Sequence, residues 1–434
     1  MNRDRKTSIF FQGYNQGAAW REVSRGNLRT GPEKSSPMIE TVSGATTPLT
    51  PLGALLKSTA KAPENSAHPV DAHPLSVYRG VLTPLTLDAP EVETAALAIG
   101  TAVHDMGWLR RIAVRGEDRF RWLSGMVTNT VNDLGANAGA WNLVLNAQGR
   151  IQGDLMVWRE ADESPQRPGP VAGGSGELEL EIAADQYERL LGHLGHFIIM
   201  DDVELAPLGE ETGTALTAVG LTGPDADAVL GRAGLPVLAN PLTSTRVEWN
   251  GLDVRIRRGY GVLGLHYVLW VQTAGLSKLW KYLRTAGAVA VGSQSLEAFR
   301  IAEGIPVYGV DMAERDLPQE AVQNGTGQMQ ALHFNKGCYL GQEIVERIRS
   351  RGNVHRHLRQ LELFGAVPAA GTELRLDDGA VAGEIRSVAA LPLPDGTKVF
   401  ALAMVRGEAE VKAQSFQYGT GAESGTAKIV EQRI

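Results

Sequence analysis

The chain has 434 residues with ordinary shares of hydrophobic (43%) and charged (21%) residues, and this length allows two or three hydrophobic cores. The net charge of −7 excludes a protein that coats nucleic acid through its overall charge, while leaving room for a local basic groove. The single cysteine excludes an internal disulfide framework and a single-chain cysteine-rich metal site, so we expect no metal site and a reducing cytoplasmic location. No apolar stretch reaches the roughly 18–20 residues that a membrane-spanning helix needs, so we expect no membrane association.

The first part of the chain lacks a sustained apolar pattern. Residues 1–40 are polar and locally basic, and we predict that they are disordered or are a spurious extension upstream of a start at Met38. Residues 41–94, with many Pro, Ala and Ser residues between Thr46 and Pro74, are predicted to form a loop-rich lead-in.

Helical and strand patterns mix irregularly from residue 95 to residue 354. Apolar residues at helical spacing, with Asp118 as one capping residue, predict helices at Ala95–Val103, Asp118–Leu123, Asp185–Phe197, Pro224–Ala233, Leu276–Thr285 and Ser295–Glu303. Apolar runs, and turn signals at Gln148-Gly149 and Asn250-Gly251, predict strands at Leu109–Val114, Ala140–Leu145, Ile151–Trp158, Glu177–Ile182, Ala215–Leu221, Val247–Trp249, Leu252–Ile256 and Tyr267–Val271. Because strands and helices do not alternate strictly, the sequence predicts an α+β body.

The composition changes near residue 355. Short strand patterns follow one another, separated by the turn signals Asp378-Gly379 and Asp395-Gly396. The predicted strands are His357–Leu363, Glu373–Leu376, Val381–Val388 and Lys398–Val405. Residues 355–434 are therefore predicted to form a small carboxy-terminal β-barrel.

The only cysteine lies in the run Lys336-Gly337-Cys338-Tyr339-Leu340-Gly341-Gln342-Glu343, which leads into a helical pattern at Ile344–Arg349. A buried small hydrophobe is the plain interpretation of a lone cysteine. The neighbours argue for chemistry instead, because Lys336 favours a thiolate and flanking glycines let the backbone approach a ligand. From the residues alone, Cys338 is a candidate nucleophile, redox thiol or ligand to a metal shared with a partner.

This run resembles the signature of the YgfZ family, Lys-Gly-Cys-Tyr-x-Gly-Gln-Glu, which leaves one position free. Further segments resemble the broader GcvT aminomethyltransferase superfamily, so that the resemblance extends over residues 95–410. They are Val114–Asn129, Leu145–Leu155, Arg300–Asp311 and Leu317–Glu320.

The resemblance implies a fold and a role. The fold is a GcvT-like, three-lobed body around a folate cavity, with residues 95–354 forming the α+β lobes beside the barrel. The role is tetrahydrofolate-dependent support of iron–sulfur enzymes and carriers, including enzymes that modify tRNA. Whether the chain is itself an enzyme, such as a folate-dependent one-carbon transferase, is left open.

The resemblance and the chemistry of folate also imply site residues. Cys338, with Lys336 lowering its pKa, is expected to accept a one-carbon unit, reduce a partner disulfide or bind an exposed cluster iron. Carboxylates suit the edge of the pterin ring, and arginines suit the anionic glutamate tail. The expected cofactor-binding residues are Asn129, Asp154, Glu303, Asp311, Tyr339, Gln342 and Arg347, with Arg300 and Arg349 as further candidates for the tail.

Two positions depart from the aminomethyltransferase pattern. Where those enzymes usually carry the glutamate that holds the pterin, this chain has Ala302, and Glu303 follows one residue later. Where they tend to carry paired aspartates, this chain has Gly153 and Asp154. An aminomethyltransferase of the glycine cleavage system is therefore the first alternative, and a non-catalytic iron–sulfur scaffold is the second.

A basic stretch, Arg347–His357, follows the signature. Its candidate partners are tRNA phosphates, a folylpolyglutamate tail or an acidic protein. It contains no aromatic residue besides histidine, so stacking on unpaired bases has little support and tRNA is the weakest of the three.

Overall fold

The computed structural model describes residues 47–59, 73–161, 176–209, 215–259, 265–322, 330–352, 354–393 and 396–430. Residues 1–40, predicted to be disordered or spurious, lie outside the described residues.

Helices and strands are mixed along the chain, and the predicted α+β class is confirmed. The helices are α1 (Pro51–Thr59), α2 (Pro90–Ile99), α3 (Arg119–Met126), α4 (Ala184–His196), α5 (Ala226–Arg232), α6 (Leu276–Thr285), α7 (Ser293–Ala302), α8 (Pro318–Ala321), α9 (Gln342–Arg351) and α10 (Gly407–Lys412). The strands before the barrel are β1 (Leu75–Tyr78), β2 (Val81–Pro84), β3 (Ala102–Asp105), β4 (Leu109–Arg115), β5 (Ala138–Leu145), β6 (Ile151–Glu160), β7 (Glu177–Ala183), β8 (Glu204–Leu208), β9 (Leu216–Gly223), β10 (Thr243–Trp249), β11 (Leu252–Arg258), β12 (Leu265–Gln272) and β13 (Val289–Val291).

Most of these strands form one sheet with the order β13-β3-β9-β12-β11-β10-β5-β6-β7-β4-β8. Its pairings are antiparallel except for β13 with β3. Strands β10 and β5 join the two halves of this sheet through the pairing of Thr243 with Ala138. The body therefore consists of two α+β halves linked by a short backbone seam.

The carboxy-terminal strands close into the predicted barrel, in the order β14-β17-β16-β15-β18-β19. They are β14 (Arg356–Gly365), β15 (Glu373–Arg375), β16 (Val381–Leu393), β17 (Gly396–Arg406), β18 (Ser415–Tyr418) and β19 (Gly425–Ile429). Alternate apolar residues fill its interior, among them Leu361, Ile385 and Phe416, each fully buried. A closed barrel leaves no unpaired sheet edge, which explains why such short strands are stable here.

Each half of the sheet has its own apolar core. In one half, alternate residues of β9, β11 and β12, such as Leu221, Ile256 and Leu269, pack against α5 and α6. In the other half, residues of β4, β6 and β7 pack against α3 and α4, with Phe120 and Leu190 fully buried. These cores hold the strand ends and turns that carry the candidate site residues.

Buried ion pairs join the two halves. The guanidinium of Arg257, on β11, donates to Glu160 and Glu181, both at 2.8 Å, and also contacts Glu179. Arg111 and Arg255 pair with Glu179 as well. Burial alone raises the pKa of Glu179, but the three surrounding guanidinium groups lower it to about 2. The carboxylate is therefore charged and compensated inside the protein.

The amino-terminal part departs from the prediction of a loop-rich lead-in. Within this part, the described residues 47–59 and 73–94 contain α1, the β1–β2 pair and the start of α2. Composition alone gave the wrong answer because Leu52, fully buried, fixes α1 on the core of one sheet half. Helix α2 begins at Pro90, a favoured residue in the first turn, and ends at Ile99 before Gly100, so Val103 lies in β3 and not in the predicted helix.

The two predicted hairpins are confirmed as β5–β6 and β10–β11. Asn250 and Gly251 both have positive φ angles, 51° and 72°, as a type I′ turn requires. The predicted cap at Asp118 is wrong in detail, because its side chain accepts from the Asp202 backbone N–H at 3.0 Å instead of capping α3.

Within the described part of the chain, none of the helices combines the length and the apolar character that crossing a bilayer requires.

Candidate functional site

The signature loop, Lys336–Gly341, lies against the carboxyl end of α3. The ammonium of Lys336 donates to the carbonyl oxygens of Ser124 at 2.8 Å, Val127 at 2.6 Å and Asn129 at 2.8 Å. The last carbonyls of a helix have no partner within the helix and carry partial negative charge, so a lysine is a suitable partner for them. Lys336 thus fastens the signature loop to the body.

Burial lowers the pKa of Lys336 to about 7, while the three carbonyl acceptors favour the charged ammonium. An ammonium group has three N–H donors, and this one directs them at backbone carbonyls. The contacts of Lys336 are therefore structural. Its predicted effect on the Cys338 thiol stays a prediction.

Gly341 makes the turn between the signature loop and α9. Its φ angle is 80°, and a Cβ atom there would lie 2.5 Å from the carbonyl oxygen of Asn146. At Gly149, in the facing hairpin turn, a Cβ atom would lie 2.8 Å from Ile344. Glycine at both positions lets the β5–β6 turn contact the start of α9. The sequence predicted that the glycines of the signature would let the backbone approach a ligand. At Gly341 the close approach is to the protein's own backbone.

Tyr339 and Gln342 close the loop on themselves. Gln342 Oε1 accepts from the Tyr339 backbone N–H at 3.3 Å, and the Gln342 N–H donates to the Tyr339 carbonyl at 3.1 Å. The Tyr339 side chain is buried among apolar residues that include Trp141, and burial raises the pKa of its hydroxyl to about 12. Both residues fix the conformation of the loop and leave its tip exposed to solvent.

Cys338 is that tip, and it is exposed. Its neighbours on both sides are tied down, Lys336 by hydrogen bonds and Tyr339 by burial. Cys338 is therefore not a buried hydrophobic residue, which was the plain interpretation of a lone cysteine. The arrangement can present a thiol to a molecule that approaches from solvent.

Asn129 belongs to the same region. Its side-chain amide donates to the carbonyl oxygens of Trp141 at 3.0 Å and Gln330 at 2.6 Å, and its Oδ1 accepts from the Thr130 N–H at 2.7 Å. These bonds hold the segment before the signature loop onto β5. The side chain is therefore fully engaged in backbone contacts.

Asp154 lies on β6, next to Trp141 of β5. The indole N–H of Trp141 donates to one carboxylate oxygen at 3.1 Å, and the Gln186 amide donates to the other at 3.0 Å. Gln186 in turn accepts from the Asp154 backbone N–H at 3.0 Å. Two neutral donors fix the carboxylate without cancelling its charge.

Around Asp154 the structure assembles a group of polar and aromatic side chains, which we call the Asp154 cluster. Arg79 pairs with Asp185 at 3.3 Å and donates to the Tyr308 carbonyl at 3.4 Å. Arg189 donates to the Tyr308 hydroxyl at 3.1 Å, with its guanidinium 4.4 Å from the centre of that ring. The cluster consists of Arg79, Asp154, Asp185, Gln186, Arg189 and Tyr308.

Charge and aromatic surface meet in this cluster. Burial raises the pKa of Asp185, Arg79 opposes that rise, and the neighbouring Asp154 carboxylate adds to it. Burial also raises the pKa of Tyr308, which keeps the hydroxyl neutral as a donor. Carboxylates that accept N–H bonds beside aromatic faces and arginines can bind a flat, hydrogen-bonding ring with an anionic tail.

Glu303 and Asp311 lie elsewhere. The Asp311 carboxylate is fully buried, pairs with Arg300 at 2.7 Å and accepts from Ser387 of the barrel at 2.5 Å. Burial raises its pKa, and Arg300 is the main opposing influence. Glu303 is half-buried at the carboxyl end of α7. Arg300 and Asp311 thus brace the segment that leads to Tyr308 against the barrel.

Arg347 is exposed on α9. Of the predicted site residues, the structure brings Asn129, Lys336, Cys338, Tyr339 and Gln342 together at the signature loop, while Asp154 lies on β6 and bonds Trp141. The sequence did not identify four residues of the Asp154 cluster as site residues: Arg79, Asp185, Arg189 and Tyr308. Only Tyr308 lies in a segment that resembles the superfamily, Arg300–Asp311. Arg79 lies in residues 41–94, which were predicted to form loops.

Several proteins are similar to this chain. An aminomethyltransferase from Rubrobacter xylanophilus is 27% identical over 66% of this chain and 72% of its own length. The tRNA-modifying protein YgfZ from Cronobacter sakazakii is 26% identical over 65% of this chain and 78% of its own length. The mitochondrial iron-sulfur cluster assembly factor IBA57 homolog of Pyricularia oryzae is 26% identical over 63% of this chain.

The chain spans 61% of the length of the Pyricularia protein and 62% of that of a chloroplastic relative from Arabidopsis thaliana. The crystal structure of the glycine cleavage system aminomethyltransferase T from Bartonella henselae matches with a TM-score of 0.72 at 18% identity, covering 89% of this chain and 99% of that protein. This confirms the GcvT-like fold. Residues 78–329 match the family model described as the GCVT N-terminal domain, and the chain therefore belongs to that family.

Proposed function

We propose that this protein binds tetrahydrofolate at the Asp154 cluster and supports iron–sulfur enzymes, including enzymes that modify tRNA, through the signature loop. The observation that carries the proposal is the exposed thiol of Cys338 on a loop that Lys336 fastens to the body. Relatives named for iron-sulfur cluster assembly and for tRNA modification support it. A reducing, cytoplasmic location is part of the proposal, since Cys338 acts in it as a free thiol.

The residues of the Asp154 cluster fit a reduced pterin. Asp154 offers a carboxylate that Trp141 and Gln186 already orient, so little freedom is lost when it accepts N–H bonds from a ring. Arg79 and Arg189 supply positive charge, and Tyr308 supplies an aromatic face. When bound, tetrahydrofolate supplies the nitrogen atoms that carry a one-carbon unit.

Trp141 supports a link between the two parts of the site. Its indole N–H bonds Asp154, while its ring packs in the same apolar cluster as Tyr339 of the signature loop. A change in the position of Asp154 is therefore expected to reach the loop that carries Cys338. Two other predicted residues, Asn129 and Gln342, hold that loop in place.

An aminomethyltransferase is the second candidate, favoured by the shared fold. Two positions argue against it. At Gly153, a Cβ atom would lie 2.7 Å from Gln186 Oε1 and 2.8 Å from Leu190, so the site has no room for the paired aspartate of those enzymes. Ala302 is buried against barrel residues such as Leu358, so the usual glutamate position faces the barrel. A glycine cleavage assay with purified partner proteins separates the two candidates.

Folate binding is tested by calorimetric titration of the full chain with tetrahydrofolate and with folic acid. We expect Asp154→Asn to weaken tetrahydrofolate binding by about tenfold, as for loss of one charge-assisted hydrogen bond. Asp253→Asn is the matched control, because Asp253 is an exposed carboxylate of β11. Equal affinities of both variants and wild type would reject the Asp154 cluster as the folate site.

The role of Cys338 is tested by complementation of a strain from which the gene has been deleted. Cys338→Ser should fail to restore iron–sulfur enzyme activity. The double variant Cys338→Ser/Ser277→Cys, which moves the thiol to an exposed position of α6, should fail too. Full activity of Cys338→Ser removes the thiol from the proposal. Retained activity of Asp154→Asn without folate binding favours the non-catalytic scaffold.

A further inference from the structure

The solvent-exposed side of α6 is basic. The helix contains no acidic residue, and its apolar residues, such as Leu279 and Leu283, pack into the core of one sheet half. The opposite side of the helix is exposed, and an exposed arginine at the end of α5 adjoins it. We call this surface the α6 basic face, and its residues are Arg232, Lys278, Lys281, Tyr282 and Arg284.

Neighbouring acids do not balance the charge of this face. The chain has 49 acidic residues, yet none lies between Asp253 and Glu297. In the β10–β11 hairpin, Val247 and Val254 pack into the core that α6 covers. Glu248 and Asp253, one residue along each strand, therefore point to the other face of the sheet. Among the described residues, none of the four cations forms an ion pair.

Two arginines meet at the carboxyl end of α6. Arg232 donates to the carbonyl oxygen of Ala286 at 2.7 Å, and Arg284 donates to that of Ala288 at 2.9 Å. A helix end carries about half a negative elementary charge, which two guanidinium groups exceed. Each guanidinium has five N–H donors, and these bonds engage one of them, so both groups can bind a further acceptor.

The two lysines lie about one turn apart on α6. Lys278 donates to the carbonyl oxygen of Asn250 at 2.6 Å, whereas Lys281 makes no hydrogen bond to the described residues. Arg284 follows after about one further turn. The helix thus presents positive charge on three successive turns, over about 9 Å at 1.5 Å per residue.

An aromatic ring lies among these cations. Tyr282 is 42% exposed, and its ring meets that of Trp249 edge to face, with 4.9 Å between the ring centres. The Trp249 indole N–H is in turn bonded to the Ala233 carbonyl at 2.9 Å. A half-exposed tyrosine on a fixed support is typical of residues that contribute strongly to protein–protein interfaces.

We propose that the α6 basic face binds an acidic helix of a partner protein. Carboxylates one turn apart on that helix match the spacing of Lys278, Lys281 and Arg284. An aliphatic side chain between the carboxylates packs on Tyr282. The tyrosine adds an apolar contact to the charge pairs and so favours a protein partner.

RNA fits this face less well. Four cations neutralise few phosphates, and nucleic-acid binding that rests on few phosphate contacts is weak at physiological salt. A long polyanion also extends beyond the face onto a protein whose net charge is −7. A helix segment of three turns stays within the basic area.

The test is fluorescence anisotropy with a labelled, alanine-rich helical peptide that carries a glutamate on each turn, added to the full chain at low ionic strength without folate. We expect saturable binding that Lys281→Glu weakens by about tenfold or more, because the charge reversal replaces attraction by repulsion. Lys412→Glu is the matched control, since Lys412 is an exposed lysine of another helix, α10. It should change the affinity by less than about twofold.

Tyr282→Ala should weaken binding by about threefold or more, and Lys281→Arg should preserve it. Circular dichroism confirms that each variant is folded. Four results overturn the proposal: no saturable binding at millimolar protein, equal effects of Lys281→Glu and Lys412→Glu, equal binding of a peptide with glutamine at each glutamate position, or tighter binding of a single-stranded RNA with the same dependence on Lys281.

This proposal is independent of the proposed function. The α6 basic face belongs to the sheet half with β9, β11 and β12, whereas Lys336 fastens the signature loop to α3 of the other half. The binding test uses neither folate nor the Cys338 thiol, so its failure leaves the proposed function untouched.

Discussion

The ammonium of Lys336 lies 2.8 Å from the carbonyl oxygen of Asn129, and with the carbonyls of Ser124 and Val127 it completes the end of α3. The signature lysine is thus a structural residue in the contacts it makes. It joins two segments that are more than two hundred residues apart in the chain. This anchoring lets the neighbouring Cys338 be exposed without the loop being loose.

Lys336→Met should lower the free energy of unfolding by about 2–4 kcal/mol, because three buried carbonyls lose a charged donor. Urea unfolding measures this change. Lys278→Met is the control, since that exposed lysine bonds a single carbonyl, of Asn250, and its loss should cost under about 1 kcal/mol. Similar midpoints for both variants would contradict the anchoring role.

Cys338 should react fully with a thiol reagent in the native protein. The chain has one cysteine and its side chain is exposed, so labelling by iodoacetamide should reach one equivalent without denaturant. Mass spectrometry counts the label. A thiol that reacts only after urea is added would show that the loop covers it.

The sequence predicted the elements whose signals are local. The turn at Asn250-Gly251 and the barrel strands were found because turn chemistry and alternation act within a few residues. The signature was found as a motif, but the partners of its lysine were not. Nothing near Lys336 in the chain indicates that the end of α3 needs a cation.

The Asp154 cluster was harder to predict for the same reason. Arg79, Asp185 and Tyr308 come from β1's turn, α4 and a loop after α7, and only the tertiary fold brings them together. Asp311 shows a second difficulty. This carboxylate of a segment that resembles the superfamily is expected to bind folate, and in the structure it pairs with Arg300 and accepts a hydrogen bond from Ser387 in the interior, so its folate contact stays a prediction. Charge alone does not distinguish a ligand contact from an internal brace.

Gly153→Asp, which restores the paired aspartates of aminomethyltransferases, should destabilise the protein and confer no such activity. The new side chain would overlap Gln186 and the buried Leu190, and such overpacking costs about 1–3 kcal/mol. Gly192→Asp is the control, because a Cβ atom there meets nothing within 4 Å. Thermal unfolding compares the two. Wild-type stability of Gly153→Asp would mean that the pocket has room for the second carboxylate.

Asp105 should make stability depend on pH. Burial raises the pKa of this carboxyl from 3.8 to about 6, against hydrogen bonds from Thr50 and Gly107. Between those values the folded protein binds more protons than the unfolded chain, so the contribution is complete below pH 3.8 and is lost as pH rises through 6. Relative to wild type, Asp105→Asn should gain about 2.4 kcal/mol between pH 4 and pH 7.

Urea unfolding at both pH values checks this gain. Asp253→Asn is a control of opposite sign, since a hydrogen bond from Arg246 lowers the pKa of Asp253. A gain that is absent for Asp105→Asn, or equal in both variants, would show that Asp105 is not the group responsible.

Arg257→Met should be among the most destabilising single changes in this protein. The guanidinium is fully buried, compensates Glu160, Glu179 and Glu181 together, and lies 4.9 Å from the centre of the Trp158 ring. Methionine keeps an unbranched apolar side chain, although a shorter one, and removes the cation that pairs with Glu181, while Glu160 and Glu179 keep Arg255 as a partner. Removing one partner of a buried ion pair costs about 3–5 kcal/mol, and we expect that loss at pH 7.

Urea unfolding measures the loss, with Arg246→Met as control. Arg246 pairs with Asp253 at the surface, where the two side chains are 45% and 54% exposed, so its removal should cost under about 1 kcal/mol. The deficit of Arg257→Met should shrink as the pH falls, because protonation relieves the uncompensated carboxylates. A deficit that is below 1 kcal/mol, or independent of pH, would mean that the two sheet halves are held by apolar packing and not by this network.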